Sequence, residues 1–303
     1  IYTTFEFTDI AGLVKGASKG EGLGNRFLAN IRETDAMIHV VRCFADPDIE
    51  HVEGSLDPVR DMEEINLELC LADLETVETR ISKVFRKAQT KEKDAAMEME
   101  TLQKLKTALA SGMPVRLIDL SDRDQQAVRN YALLTAKPVI YVANMGEEEI
   151  GAPEKNEYYK AVKEFAEKEK SACIAICARI EEELSGLEKE EKRAFLDDLG
   201  IETSGLEQII KAAYHLLGLR TFFTVGKPEC RAWTFRQGMK APQCAGVIHT
   251  DFEKGFIRAE VYSYADLMMY HTEQALKENG KIRLEGKEYV MQDGDIVFFR
   301  FNV

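Results

Sequence analysis

The chain lacks several features that would assign it to common classes of protein. No apolar run approaches the ~20 residues that a membrane-spanning helix needs, so we expect a soluble protein. Six cysteines are present without any C-x-x-C pair, which argues against a zinc site or a disulfide framework and favours reduced thiols in the cytoplasm. The formal net charge is −13, which excludes polyanion binding over the whole surface, although a basic patch on one domain can still bind RNA.

A phosphate-binding loop is also absent. No segment matches G-x-x-x-x-G-K-[ST], the pattern in which backbone amides and a lysine hold the phosphates of a nucleotide. The sequence begins with Ile1 rather than Met, at the approach to an apolar stretch. We therefore expect a fragment, or a record that lacks its first segment.

The apolar patterning indicates a parallel α/β sheet. Residues 3–9 and 37–43 have the composition of short buried strands, and an amphipathic helix over about 25–33 separates them. Apolar strand patterns recur at 137–144 and 172–177, with a helix near 157–170 between them. At 303 residues the chain is long enough for two or three domains.

The sheet pattern is interrupted by a long polar and helical stretch. Apolar residues at steps of three and four predict an antiparallel helical hairpin over 61–110, which projects from the sheet domain. Two interpretations remain open, namely a solvated helical pair that packs its own seam and an arm that binds a partner. From residue 221 the sequence pattern changes to that of short strands and turns, with one helix over about 264–278. Residues 221–303 are therefore predicted to form a separate domain. Its predicted strands are 221–225, 231–235, 255–263, 281–284, 289–292 and 296–301.

Two polar patterns follow predicted strands and point to a nucleotide site. Asp9 stands three residues before Gly12, and this arrangement lets a carboxylate hold Mg²⁺ through water while a glycine amide meets the last phosphate. Asn144 and Glu147 lie at the carboxyl end of a later strand, where open α/β sheets bind ligands. The backbone at Cys177 and Ala178, after the next strand, can line a purine base.

Longer motifs carry a resemblance to a known family. The stretches 9–25, 27–31, 247–261, 293–295 and 299–303 strongly resemble the YchF-type, Obg-like ATPases, and the match covers essentially the whole chain. The resemblance implies an incomplete Ras-like α/β nucleotide-binding domain (1–60 and 111–220), an inserted helical hairpin (61–110) and a C-terminal TGS domain of β-grasp fold (221–303). It also implies binding to the ribosome, with the large subunit expected, and to RNA, through the insert and the TGS domain.

The base-binding motif departs from that of guanine-specific relatives. They carry N-K-x-D, whereas this chain has Met145 at the lysine position and Glu147 in place of the aspartate. Adenine lacks the N1 hydrogen and the 2-amino group of guanine, so the resemblance implies ATP, with Mg²⁺, as the bound nucleotide. Asn144, Met145 and Glu147 are expected to line the base.

The resemblance also bears on the rate of hydrolysis. Many GTPases carry a water-orienting glutamine after the glycine, but Leu13 stands there and cannot polarise water, so slow hydrolysis is expected. The phosphate loop of the family should precede Ile1, and we therefore expect these 303 residues to bind nucleotide poorly. The alternatives are a GTPase of the same class and a non-catalytic module that binds ribosomes or RNA.

Overall fold

The computed structural model describes residues 1–10, 23–49, 51, 54–88, 93–226 and 229–302, without the side chains of 23–26, 86–88 and 93–94. Two compact units are present, Thr8–Ala212 and a unit that combines Ile1–Phe7 with Ala213–Val303. Within the described ranges, no helix is long and apolar enough to cross a membrane.

The N-terminal unit contains a three-stranded sheet surrounded by helices. In chain order its elements are α1 (Leu23–Glu33), β1 (Met37–Arg42), α2 (Pro58–Ala88), α3 (Lys93–Ala110), α4 (Asp122–Arg129), β2 (Val139–Asn144), α5 (Glu157–Lys168), β3 (Ala172–Ile176), α6 (Ala178–Ser185), α7 (Lys189–Asp198) and α8 (Gly205–Leu216). The strands lie in the order β1-β2-β3 and all pairs are parallel, which confirms the predicted parallel sheet for three of its four predicted strands. The five residues of β2 that precede Asn144 are buried, as expected for a central strand covered on both faces.

The hairpin of α2 and α3 is longer than predicted and is partly built into the sheet domain. The helix α2 begins at Pro58, which fits the first turn of a helix because proline has no N–H to leave unpaired. Its first half packs on the domain: Met62 lies in the core cluster around β2, and Leu69 packs against Leu134. The prediction that the whole hairpin projects from the sheet is therefore wrong for its base. Farther along, the two helices share a buried seam that includes Val77, Val84, Ala95, Leu102 and Leu105.

A buried carboxylate fixes α2 to the segment before β2. The side chain of Asp73 accepts hydrogen bonds from the backbone N–H groups of Leu134 (2.8 Å) and Thr135 (2.7 Å) and from the Thr135 hydroxyl (2.7 Å). Burial raises the pKa of Asp73, and the hydrogen bonds from Thr135 oppose that shift. Because all three donors come from one turn, Asp73 determines where the base of the arm meets the sheet.

A buried ion pair joins α2, β2 and the end of α5. The guanidinium of Arg116 lies 2.7 Å from Glu169, and both side chains are less than one-tenth exposed. Tyr141 donates its hydroxyl to the same carboxylate (2.8 Å), and Asn66 donates its amide to the other oxygen (3.1 Å). Burial and the charge of Arg116 lower the pKa of nearby His39 to about 4, so this imidazole is neutral at pH 7.

The first residues do not form the predicted strand. Residues 3–9 have no strand in the structure, and 1–7 belong to the C-terminal unit rather than to the parallel sheet. The backbone of Ile1 exchanges hydrogen bonds with Cys230 (2.5 Å) and Ala232 (2.9 Å), and the hydroxyls of Thr3 and Thr234 lie 2.6 Å apart. The alternating pattern therefore lies beside the exposed edge of a different sheet, since alternation alone does not specify a partner strand.

The C-terminal unit is a five-stranded mixed sheet that packs on helices. Its elements are β4 (Leu219–Val225), β5 (Cys230–Arg236), α9 (Ala241–Ile248), α10 (Thr250–Lys254), β6 (Phe256–Ser263), α11 (Tyr264–Tyr270), α12 (Glu273–Glu278), β7 (Arg283–Glu285) and β8 (Asp295–Phe301). The strand order is β5-β4-β8-β6-β7, and the core between the sheet and α9 contains Phe222, Cys244, Val261, Val297 and Phe299.

One helix of this unit was missed from the sequence, and two predictions for this unit are wrong. The helix that packs in the core, α9, was not predicted, because its small residues carry little periodicity. Residues 289–292 form only an isolated bridge, Val290 with Lys240, because their backbone pairs with the turn that leads into α9. The single helix predicted over 264–278 is instead α11 and α12, which are separated at His271.

The break at His271 gives a stability prediction. Its φ of 63° places it in the left-handed region, which costs a residue with a Cβ about 1 kcal/mol or more. We expect His271→Gly to stabilise the C-terminal unit by about 0.5–1 kcal/mol, as measured by urea unfolding followed through the emission of Trp233. The control Ala275→Gly, inside α12, should destabilise it by about 1 kcal/mol. A loss of stability in His271→Gly would contradict the prediction.

Candidate functional site

The predicted polar residues meet where β2 and β3 end. Asn144, the last residue of β2, pairs in register with Ile176, the last residue of β3. The loops that follow, 145–156 and 177–178, therefore leave the same edge of the sheet. This carboxyl edge is where open parallel sheets bind ligands.

Asn144 connects all three strands at this edge. Its side-chain oxygen accepts a hydrogen bond from the backbone N–H of Ala178 (3.0 Å), and its backbone oxygen accepts one from Cys43 (2.7 Å). The side-chain NH₂ of an asparagine has two further donors. One side chain thus braces the loop after β3 while it keeps donors for a ligand.

Met145 differs from its neighbours because its side chain points into the protein. It is 2% exposed and packs in the core cluster with Val41, Cys43 and Ala143. Its backbone N–H donates to the oxygen of Ile176 (2.8 Å), which extends the pairing of β2 with β3 by one residue. A side chain in the core supplies no surface contact to a base, so Met145 can contribute there only through its backbone.

Glu147 is exposed and paired with a cation. Its carboxylate lies 2.8 Å from the Nε atom of Arg179, which also lies 3.9 Å from Glu183. Both members are well exposed, so the pair contributes little to stability. The ion pair instead connects the loop after β2 to the first turn of α6.

Cys177 and Ala178 form the second wall of this edge. Cys177 is buried and occupies the position that caps α6, in an extended conformation. Ala178 is exposed, and its N–H is the one that Asn144 accepts. The residues predicted from two separate motifs are therefore in direct contact through the Asn144 side chain.

Sequence reasoning missed a second asparagine that shapes the loop after β2. Asn156 donates its amide to the backbone oxygen of Cys43 (2.9 Å) and to the carboxylate of Glu149 (2.9 Å). Its oxygen accepts from Tyr159, which caps the start of α5. An asparagine directly before a helical pattern is the available signal, but it indicates a cap and not the contact with Cys43.

Of the residues predicted to contact Mg²⁺ and the phosphates, only Asp9 lies within the described residues. That carboxylate is exposed, whereas Gly12 and Leu13 lie outside the described residues. Within the described ranges, no group of three or more His, Cys, Asp or Glu side chains is arranged to hold a metal.

Glu181 positions the next helix behind this edge. Its carboxylate accepts from the backbone N–H groups of Gly205 (2.6 Å) and Leu206 (3.2 Å) at the start of α8. We expect Glu181→Ala to lower the free energy of unfolding by about 1–2 kcal/mol, because two helix donors lose their acceptor. Urea unfolding followed by far-UV circular dichroism measures this. The exposed neighbour Glu182→Ala serves as control, and equal effects of both variants would contradict the assignment.

Comparison with known proteins places this arrangement in a class and a family. A family model described as "50S ribosome-binding GTPase" matches residues 2–74. Another, YchF-GTPase_C, described as "Protein of unknown function (DUF933)", matches 219–302. The class is that of Ras-like P-loop GTPase domains with an added C-terminal domain.

High identity over nearly the whole chain identifies the family. A Bacillus subtilis (strain 168) protein, "Ribosome-binding ATPase YchF", is 57% identical over 99% of this chain and 82% of its own length. The Escherichia coli O157:H7 protein of the same name is 50% identical over the same shares of the two chains. The solved Schizosaccharomyces pombe YchF GTPase superposes with a TM-score of 0.85 at 41% identity, over 96% of this chain and 78% of that one. The chain belongs to the YchF family.

Proposed function

We propose that this protein is a nucleotide-dependent factor that binds ATP with Mg²⁺, hydrolyses the ATP slowly and binds the ribosome. The bacterial relatives carry the name "Ribosome-binding ATPase YchF". The observation that carries the proposal is the contact of Asn144 with Ala178, because it brings two predicted walls of a base pocket together and leaves amide donors for a purine.

The preference for adenine follows from the state of Glu147. A guanine-reading carboxylate accepts two hydrogen bonds, from the N1 hydrogen and the 2-amino group, and adenine offers neither. Here the carboxylate is held by Arg179 at 2.8 Å, so it gains less from guanine donors than an unpaired aspartate would. The backbone of Cys177 and Ala178 lines the base, and Met145 contributes through its backbone alone.

The phosphate side is assigned to Asp9, Gly12 and Leu13. Asp9 would hold Mg²⁺ through water, and the Gly12 amide would meet the terminal phosphate. The ion, when bound, neutralises charge on the phosphate oxygens. Leu13 cannot orient water as a glutamine does, so turnover is slow.

Ribosome binding is assigned to the arm of α2 and α3 and to the C-terminal unit, which we propose to be a TGS domain of β-grasp fold. Phe85 and Met97 are exposed on the arm although its seam is buried, and the pairs Arg80–Glu98 (2.8 Å) and Lys106–Glu78 (2.8 Å) stiffen it. An exposed aromatic on a braced arm is suited to partner binding. We propose the large subunit as the binding partner and the cytoplasm as the location.

The proposal is tested with ribosomes and nucleotides. The protein, expressed from its complete reading frame, is sedimented with purified ribosomes with and without ATP, and phosphate release is followed in parallel. We expect ribosome binding that depends on nucleotide and slow release of phosphate from ATP. Co-sedimentation indifferent to nucleotide, without phosphate release, would instead favour a non-catalytic ribosome-binding module.

A GTPase of the same class is the second candidate function. It is favoured by the family model that matches the N-terminal region, described as a GTPase, and by the name of the S. pombe protein, a YchF GTPase. The two candidates differ in which nucleotide competes for the site.

A further inference from the structure

One face of the C-terminal sheet has a row of residues that crosses all five strands and is apolar except at Glu260. Register places Phe298 of β8 opposite Glu260 of β6, and Glu260 opposite Leu284 of β7. On the other side, β4 runs parallel to β8 and brings Val225 beside Phe298, and Val225 pairs with Cys230 of β5. We call this surface the open face, because the core with α9 lies on the opposite side of the sheet.

Only part of the open face is covered by helices. At one end, α11 and α12 pack on it, and Tyr262, Leu276 and Ile296 are buried there. Next to that cluster lies a groove of about 270 Å³, lined by residues that include Tyr262, Lys277 and Phe298. Beyond the groove, Phe298 is 61% exposed and Leu284 is 61% exposed.

Phe298 is the aromatic of this face that is available for stacking. Its strand neighbour Phe299 is 7% exposed in the core, and Phe301 stacks on Phe252 with ring centroids 3.8 Å apart. Phe298 enters no ring pair with the other described residues. Of the three phenylalanines near the end of the chain, Phe298 thus offers an exposed ring for stacking, whereas Phe299 and Phe301 stabilise the fold.

Cations surround the exposed ring of Phe298. Arg258 and Arg300 pair in register two residues along from Glu260 and Phe298, which is about 7 Å along the strands. Lys277 lies on the other side, at the groove. The two nearby carboxylates are engaged, Glu260 with Arg300 and Glu273 with the hydroxyl of Tyr262 (3.0 Å). Within the described residues, Arg258 makes no ion pair or side-chain hydrogen bond.

The charge of the C-terminal region supports an anionic ligand. Residues 213–303 hold 12 Lys and Arg against 11 Asp and Glu, whereas residues 1–212 carry an excess of 14 negative charges. An exposed ring between cations suits a nucleobase and its phosphates, because stacking and backbone electrostatics together hold single strands. A purely apolar partner would leave Arg258 and Lys277 without a role, whereas Arg300 already pairs with Glu260.

We propose that the open face binds single-stranded RNA, with one base stacked on Phe298 and flanking phosphates contacted by Arg258, Arg300 and Lys277. The assignment rests on the proposed ribosome-binding function and names the chemistry of one contact. It concerns a surface separate from the nucleotide site, so the two can be tested independently.

The test measures binding of a fluorescein-labelled 12-nucleotide oligouridine to the 303-residue chain by fluorescence anisotropy at 50 mM salt, without ribosomes or ATP. We expect saturable binding, which Phe298→Ala weakens about tenfold and Phe298→Trp retains. In Phe298→Trp the new emission should be quenched by the RNA, as stacking requires. Arg258→Glu should weaken binding about fivefold and reduce its salt dependence.

Leu284→Ala is the matched control, because Leu284 lies on the same row and is exposed to the same extent as Phe298. It should change the affinity less than twofold. The proposal is overturned if the chain does not bind the RNA, if Phe298→Ala binds like the parent, or if Leu284→Ala costs as much as Phe298→Ala, which would indicate an apolar protein-binding surface. Unaltered unfolding of each variant, followed by Trp233 emission, excludes misfolding. Failure here leaves phosphate release and nucleotide competition, which test the proposed function, unaffected.

Discussion

Replacing Arg116 by alanine is expected to lower the free energy of unfolding of the N-terminal unit by about 3–5 kcal/mol. The guanidinium is 8% exposed and lies 2.7 Å from Glu169, so its loss leaves a buried carboxylate without its cation. The remaining donors to that carboxylate, from Tyr141 and Asn66, are neutral and cannot replace the charge. This makes Arg116 the expected weak point among the contacts that hold α2 and α5 on the sheet.

Urea unfolding measures this effect with a separate signal for each unit. Far-UV circular dichroism follows the helices, most of which belong to the N-terminal unit, and the single tryptophan, Trp233, reports on the C-terminal unit. We expect the circular dichroism transition of Arg116→Ala to move to lower urea. Arg179→Ala, which removes an exposed ion pair, is the matched control and should cost less than about 1 kcal/mol.

A double variant separates a lost charge from lost volume. Arg116→Met with Glu169→Met removes both charges and should recover much of the stability that Arg116→Ala loses, because no unpaired charge is then buried. Arg116→Ala with a cost close to that of Arg179→Ala would contradict the account of the buried pair.

Replacing Asn144 by alanine is expected to lower nucleotide affinity about a hundredfold. The variant loses the acceptor that braces Ala178 and the amide proposed to donate to the base, and two lost hydrogen bonds at about 1–1.5 kcal/mol each correspond to about a hundredfold in affinity. Isothermal titration with ADP, on the protein from its complete reading frame, measures the change. Asn130→Ala is the control, at an exposed position after α4.

The variant Asn144→Asp distinguishes the brace from the contact with the base. An aspartate still accepts from the N–H of Ala178 but cannot donate to a purine. We expect an affinity about tenfold lower than that of the parent but higher than that of Asn144→Ala, because only the hydrogen bond to the base is lost. An Asn144→Asp protein that binds nucleotide like the parent would show that the amide makes no contact with the base.

The sequence allowed the parallel sheet and the edge that carries the site to be predicted, because β2 is an uninterrupted apolar run that ends in Asn144. Such a run has few alternatives to a buried central strand, and the ends of parallel strands meet at one edge. The motifs also named both loops that Asn144 joins. They did not predict the orientation of the Met145 side chain, which belongs to the core although both neighbours, Asn144 and Gly146, are only half-buried.

Other features depend on contacts between residues far apart in the chain. Arg116 and Glu169 are 53 positions apart, and neither lies in a motif that marks it as buried. The alternation in residues 1–7 predicts an extended segment but does not determine which sheet edge it lies beside. The aromatic residues at the end of the chain could be assigned to core or surface only once the register of β8 was known.

Nucleotide competition tests the central claim most directly. The protein from its complete reading frame is loaded with a fluorescent ADP analogue in the presence of Mg²⁺, and unlabelled ATP or GTP is titrated against it. The account predicts that ATP displaces the analogue at a concentration at least tenfold lower than GTP, because Met145 and Glu147 stand where guanine-specific relatives carry the lysine and aspartate that bind guanine. Displacement by GTP at an equal or lower concentration would contradict the assignment of an adenine-preferring site.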